Sequence, residues 1–311
     1  MASGGAASTA GDGASGKPLL RALGFCGADD STDVGTLVAL SREYPHVEWG
    51  VLFRPDKEGT PRYASPAWVA ALAAANDAAG RPCQLAGHLC GERVNEVLRG
   101  DASFVRSVAK LGFGRVQVNA TAINGVDTTD LRGKAAQLRA CMRAVPEVEW
   151  IVQRNEETRP LWEALSEDAP DNMSMLFDAS CGTGVYNFGD GLPAPHGTIA
   201  TGYAGGIGPH NVAQTLGGVA AAMGGRHAWI DMESSLRGEL EGRDVFSIDR
   251  CVLCIRRAAG RFTFAGRRSA AACAPPCCGA DGGAGGRRLL PLLASASAGA
   301  VVGALLAPAP K

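Results

Sequence analysis

The chain has 311 residues, 46% hydrophobic and 20% charged, an ordinary soluble composition with room for a sizeable core. A formal net charge of −1 argues against nucleic acid or an anionic surface, so neither nucleic acid nor a membrane is expected as partner. The ten cysteines are spread over a domain large enough to fold without disulfides. With no signal-peptide pattern at the start, a reducing, cytoplasmic setting is expected, a plastid being the alternative.

Residues 1–17 are small and polar, without an apolar segment, and read as a disordered leader. Next, short β-branched or apolar runs alternate with helical stretches. Residues 20–26 read as the first strand, and 34–44 as a helix with cap candidates in 29–33. Residues 47–53 are the second strand. Ser65 and Pro66 then open a helix that runs to about Ala79. Residues 84–89 and 92–98 form the third strand and helix, 115–119 and 130–145 the fourth pair, and 149–153 and 158–167 the fifth. The sixth strand, 173–178, leads into a Gly-rich loop without a strong helix. Residues 198–204 and 209–223 form the seventh pair, 227–231 and 243–257 the eighth. Eight such units predict a single-domain (β/α)₈ TIM barrel over 18–257.

Residues 258–311 lack periodicity and read as a disordered, low-complexity tail. Within it, 289–307 is about long enough to cross a bilayer. Pro291, serines and small residues favour disorder over a C-terminal membrane anchor.

A barrel concentrates chemistry where strands end and βα loops begin. Five strand ends stand out: Gly24-Phe25-Cys26-Gly27, the run from Pro61 to Pro66 that contains Arg62, Val116-Gln117-Val118-Asn119, Leu176-Phe177-Asp178-Ala179, and the run from Tyr203 to Val212 with its three glycines. In this order they resemble phosphoribosylanthranilate isomerase, of the ribulose-phosphate-binding barrels, over nearly the whole barrel. The resemblance implies an isomerase of tryptophan biosynthesis that performs an Amadori aldose–ketose rearrangement of a sugar phosphate without a cofactor. Its partner would be that small molecule, and the protein a monomer or homodimer.

Cys26 matches the family's general base, and Asp178 its general acid. Arg62 matches the arginine that contacts the anthranilate end, a planar carboxylate suited to a guanidinium. Gln117 matches a substrate-contacting position, and Asn119 stands where the family has histidine. Gly205 and Gly206, with Ser234 and Ser235 of the eighth-strand loop, match the phosphate-binding turn.

Departures from the pattern keep alternatives open. Glu233 puts an anion where a serine should face phosphate, and Ser235 replaces a glycine, so Arg237 or Arg54 would be needed to neutralise the glutamate. The usual lysine before the cysteine is missing. His88 has no family counterpart and joins the expected substrate-binding set. With Cys90 on the same strand face it could join Cys26 around a metal, although filling a barrel layer is the plainer role and no metal is expected. Cys251 and Cys254 should be buried on a helix, and Cys273, Cys277 and Cys278 lack the further ligands of a zinc site. The alternatives are a divergent barrel with another small-molecule substrate and a non-catalytic ligand-binding barrel.

Overall fold

The computed structural model describes residues 17–178, 180 and 191–266. The chain divides into two units, Met1–Cys273 and Ala274–Lys311, and every described residue belongs to the first. The expected leader, apart from Lys17, and the tail beyond Gly266 lie outside the described residues.

Eight parallel strands alternate with helices: β1 (Leu19–Cys26), β2 (Val47–Phe53), β3 (Gln84–Leu89), β4 (Arg115–Val118), β5 (Glu149–Arg154), β6 (Met173–Asp178), β7 (Ala200–Ala204) and β8 (His227–Met232). Each pairs with the next, and β8 pairs with β1 from His227↔Leu19 to Met232↔Phe25, so the sheet closes on itself. The fold is a (β/α)₈ TIM barrel, and all strand C-termini open on one face.

Period-two alternation decides what faces inward. Along β2, Val47, Trp49, Val51 and Phe53 join the cluster shared with the helices, whereas Leu52 packs with Cys26 and Cys90. Leu23 and Phe25 of β1 face the helices, and Ala22 joins Ile151, Leu176, Ala204 and Trp229 in an interior cluster. Arg21, Arg115, Glu48 and Glu149 form an interior ion cluster, with Arg115 2.7 Å from Glu48 and Arg21 2.7 Å from Glu149. The two arginines stack at 4.9 and 4.2 Å from the Trp229 ring centroid. Two positive and two negative charges balance, which a buried set requires.

The outer helices are α1 (Val34–Glu43), α2 (Pro66–Ala78), α3 (Glu92–Leu98), α4 (Ser103–Lys110), α5 (Ala135–Ala144), α6 (Arg159–Ser166), α7 (Val212–Met223) and α8 (Ile248–Ala258). Asp33, Ser65 and Ser247 cap α1, α2 and α8, each accepting from a backbone amide three residues on. Cys251 and Cys254 are buried on α8, as expected.

The structure corrects four boundaries. Helix α4 was not anticipated; it buries Val105 and Val108 and shows its polar side to solvent. Strand β4 stops at Val118, leaving Asn119 in the following loop. Residues 243–246, expected as helix, form β10 (Arg243–Phe246), antiparallel to β9 (Arg237–Leu240). Glu241 and Gly242 both take positive φ, 53° and 77°, as a two-residue hairpin turn demands. Finally, the ordered unit runs past Arg257. Strand β11 (Thr263–Phe264) pairs with Leu19 and Leu20 of β1, and His46 packs edge-on against Phe262 and Phe264. No helix among the described residues is long and apolar enough to cross a membrane.

Candidate active site

A cleft of about 260 Å³ opens at the C-terminal ends of the strands. His88, Gln117, Asn119, Asp178, Arg62, Gly205, Gly206, Ser234 and Ser235 all line it, so nine of the ten expected residues share one cleft. The tenth, Cys26, ends β1 and is 1% exposed, behind the lining and packed with Leu52 and Cys90.

Cys26 Sγ lies 3.2 Å from Nδ1 of His88. The space they share exists because β2 has a glycine opposite: a Cβ at Gly50 would come within 2.9 Å of both Cys26 Cα and His88 Nε2. Asp231 of β8 completes the group, and the ligand-type atoms of Cys26, His88 and Asp231 all lie within 4.8 Å of one another. Burial pushes the Cys26 thiol well above its ordinary value, with the Glu233 and Asp231 carboxyls adding to the effect and Arg62 opposing it. Burial, aided by Arg115, pushes His88 down to about 3. The Asp231 carboxyl is raised well above the usual range by burial and then by Glu48 and Glu233. All three shifts favour the uncharged form of the group. Asp231 was not among the expected site residues, although an acidic residue ending a barrel strand stands where such folds place chemistry.

Asp178 ends β6 and is buried. Its Oδ2 accepts from Gln153 Nε2 at 2.7 Å, and its Oδ1 from the Ser180 amide at 2.9 Å and hydroxyl at 2.6 Å. Gln153 was also missed; its Oε1 is buried without a hydrogen-bond partner among the described residues. Turning this amide would offer Asp178 an acceptor in place of a donor. The expected role of Asp178 as acid needs such a rearrangement.

Arg62 is already paired. Its backbone, at φ 78°, donates to Asp29 Oδ2 at 2.6 Å, and its guanidinium lies 3.3 Å from Glu233 and 3.6 Å from Asp244. Asp29 Oδ2 also takes Arg237 Nη1 at 2.9 Å, and Arg237 reaches Asp244 Oδ1 and the Gly27 carbonyl. The ion-pair partner of Glu233 is thus Arg62; of the two expected neutralising arginines, Arg237 opposes the glutamate's charge at longer range, whereas Arg54 pairs with Asp56 at 3.1 Å. Burial still raises the Glu233 carboxyl, with Asp178 adding to it and Arg62 opposing.

Gln117 donates to Asn119 at 2.7 Å, and Asn119 in turn reaches Cys90 Sγ at 3.5 Å. In the loop after β7, Gly205 and Gly206 take φ 101° and 64°, conformations that glycine adopts without strain. The next turn is closed from within, since Gly208 donates to Asn211 Oδ1 at 2.8 Å and α7 begins only at Val212. Ser235 donates to the Ile207 carbonyl at 2.7 Å, which ties the two loops together and occupies its hydroxyl proton. Ser234 is the exposed serine of the pair. Arg54 and Lys57 add positive charge to the cleft wall.

No family model matches the chain. No curated protein matches it either. Among solved structures the chain is similar to a phospho-2-dehydro-3-deoxyheptonate aldolase from Thermotoga maritima, at 10% identity and TM-score 0.42 over 77% of this chain and 67% of that one. It is similar to a dihydrodipicolinate synthase from Agrobacterium tumefaciens at 15% identity and TM-score 0.41, over 69% and 70% of the two chains. A candidate sugar phosphate isomerase/epimerase from Anabaena variabilis matches at 12% identity and TM-score 0.33, over 79% and 84%. None of these likenesses bears on the reaction, and the barrel rests on the closure of β8 onto β1.

Proposed function

We propose that the chain is a sugar-phosphate isomerase of the phosphoribosylanthranilate isomerase type, performing an aldose–ketose rearrangement by proton transfer. The observation that carries this reading is one cleft lined by Asp178, Arg62, Gln117 and the Gly205-Gly206 loop, with Cys26 buried directly behind its His88 wall. The phosphate would lie on the Gly205 and Gly206 amides beside Ser234. Asp178, entering the step protonated, would give that proton to the ring oxygen as the sugar opens, and the carboxylate left behind would be held by the Gln153 amide and Ser180. Cys26 would take the C2′ proton as a thiolate, its own proton having passed to His88 at 3.2 Å; burial opposes that transfer at both groups, so positive charge at the site, as Arg62 supplies in part, has to support it. Positioned acid and base groups of this kind contribute about 10² to 10⁴ each in rate.

A second reading keeps the acid–base pair and changes the substrate. The Arg62–Glu233 ion pair at 3.3 Å favours it, because the guanidinium that would clamp a substrate carboxylate already holds an internal one. Asn119, bound to Gln117 where the family has histidine, points the same way.

The test is rescue of tryptophan auxotrophy in a strain lacking the isomerase. Growth supports the first reading. A soluble, folded protein that does not rescue but converts another aminoaldose or aldose phosphate supports the second. Phosphate binding without turnover of any such compound leaves a ligand-binding barrel.

A further inference from the structure

We infer that Cys26, His88 and Asp231 form a binding site for a zinc-class divalent cation. The inference rests on where three ends of the barrel wall meet. Cys26 closes β1, Asp231 lies on the adjacent β8, and His88 comes from β3, two strands away on the other side. Their ligand atoms all lie within 4.8 Å of one another, and the thiol–imidazole pair is already at 3.2 Å. Tetrahedral zinc, with bonds of about 2.0 to 2.3 Å, needs such atoms roughly 3.3 to 3.7 Å apart, so closure asks only for small side-chain movements.

The backbone is cut to fit this group. A Cβ at Gly24 would stand 2.5 Å from Asp231 Oδ1, and one at Gly50 would stand 2.9 Å from His88 Nε2. Two strand interiors, where glycine is otherwise unfavourable, are thereby emptied around the same three side chains. The donor set has a chemical preference as well. One soft thiolate, one imidazole and one carboxylate suit zinc or cobalt, whereas magnesium and calcium want oxygen alone. A dication with one thiolate and one carboxylate also leaves no net charge in a buried place. His88 and Asp231 lie on the cleft wall, so a fourth position would open towards the ligand space, as in catalytic zinc sites.

Cys90, which the strand pattern also places beside Cys26 and His88, is engaged elsewhere: Asn119 and Asn124 sit at 3.5 and 4.0 Å from its sulfur. The cation would occupy the Cys26 sulfur that the isomerase reading uses for proton transfer, so the two uses exclude each other. The inference does not depend on that reading, because binding is measured without substrate.

The experiment titrates cobalt(II), then zinc(II), into chelator-treated full-length protein carrying Cys273→Ser, Cys277→Ser and Cys278→Ser, so that tail thiols contribute nothing. One equivalent of cobalt should bind with a thiolate charge-transfer band and the intense visible bands of tetrahedral geometry, and zinc should displace it. Cys26→Ser should abolish the charge-transfer band, and His88→Gln and Asp231→Asn should each weaken binding by about tenfold or more. Cys90→Ser should leave spectrum and affinity unchanged. A folded parent protein that binds no cobalt stoichiometrically overturns the inference whatever the variants do. A band that survives Cys26→Ser, or disappears with Cys90→Ser, overturns the ligand set. Turnover of the chelator-treated protein, assayed in parallel, separates the two ideas: activity without cobalt binding sinks only the metal site, and cobalt binding without activity sinks only the isomerase.

Discussion

Gly24 and Asp231 are register partners across the β1–β8 closure, and the Asp231 carboxyl group fills the space that a side chain at position 24 would need. An added Cβ would meet Oδ1 at 2.5 Å and the Ile230 carbonyl at 3.1 Å. Gly24→Ala should therefore destabilise the barrel by about 1 to 3 kcal/mol, the usual cost of overpacking. In an Asp231→Ala background the same change should cost much less. Urea denaturation of the four proteins reads the coupling. Equal costs in both backgrounds would mean that Asp231 does not determine the glycine.

His88 makes stability depend on acid. Its folded value is about 3 and its ordinary value 6.5, so between these pH values the unfolded chain binds the proton in preference. Its contribution is complete above about pH 6.5 and falls as the pH drops towards 3. Over that window the loss is on the order of several kcal/mol. Asp231, raised by burial, slopes the opposite way, because its contribution falls as pH rises through its folded value. Subtracting the His88→Gln profile of stability against pH from that of metal-free wild type isolates the histidine. A difference that is flat from pH 6.5 to 4 would contradict the buried neutral imidazole.

Glu233 stands 3.3 Å from Arg62 and shares the cleft with Ser234 and the Gly205-Gly206 turn. Glu233→Ser removes a charge that repels phosphate and releases one partner of Arg62. Binding of inorganic phosphate and of a ribose phosphate should tighten by about 1 kcal/mol, a few- to tenfold, since the carboxylate is partly solvated. Calorimetric titration checks it. Weaker binding in the variant would show that the natural ligand offers hydroxyls or a cation to Glu233.

The Asp29–Arg237 pair, at 2.9 Å with both side chains about 5% exposed, is a buried brace beneath Arg62. Arg237→Ala would leave Asp29 charged with only the Arg62 amide and Ser31 as donors. The expected cost is about 3 to 5 kcal/mol, read as a lowered denaturation midpoint. Arg237→Lys keeps the charge and loses the fork to Asp244 and Gly27, so it should recover only part of that. Full recovery would reduce the brace to simple charge balance.

Much of the barrel was legible because its strands are short apolar runs with helical stretches between them. β2, β3 and β6 and helix α3 fall on the expected bounds. Cys26, His88, Gln117 and Asp178 stood out as polar or reactive residues at strand ends. Asp231 did not, because its significance comes from meeting Cys26 and His88 across the closed sheet, a relation with no local signature. Gln153 looked like an ordinary strand-ending amide until Asp178 was found opposite it. Arg62 invited a ligand carboxylate, and its internal partners lie far away at Glu233 and Asp244. Of the β9–β10 hairpin, β10 fell inside the expected helix and β9 inside the expected loop, because the Glu241-Gly242 turn is written in backbone angles rather than in apolar spacing.

The central claim is that Cys26 and Asp178 transfer protons in a sugar-phosphate isomerisation, and single-turnover kinetics test it most directly. Chelator-treated wild type, Cys26→Ala and Asp178→Asn would each be mixed with the phosphoribosyl aminoaldose substrate, and ketose formation followed. Each substitution should slow turnover by at least about a hundredfold, at the lower end of what positioned acid or base groups contribute, with the fold intact by near-ultraviolet circular dichroism. A Cys26→Ala protein that turns over at close to the wild-type rate would contradict the account.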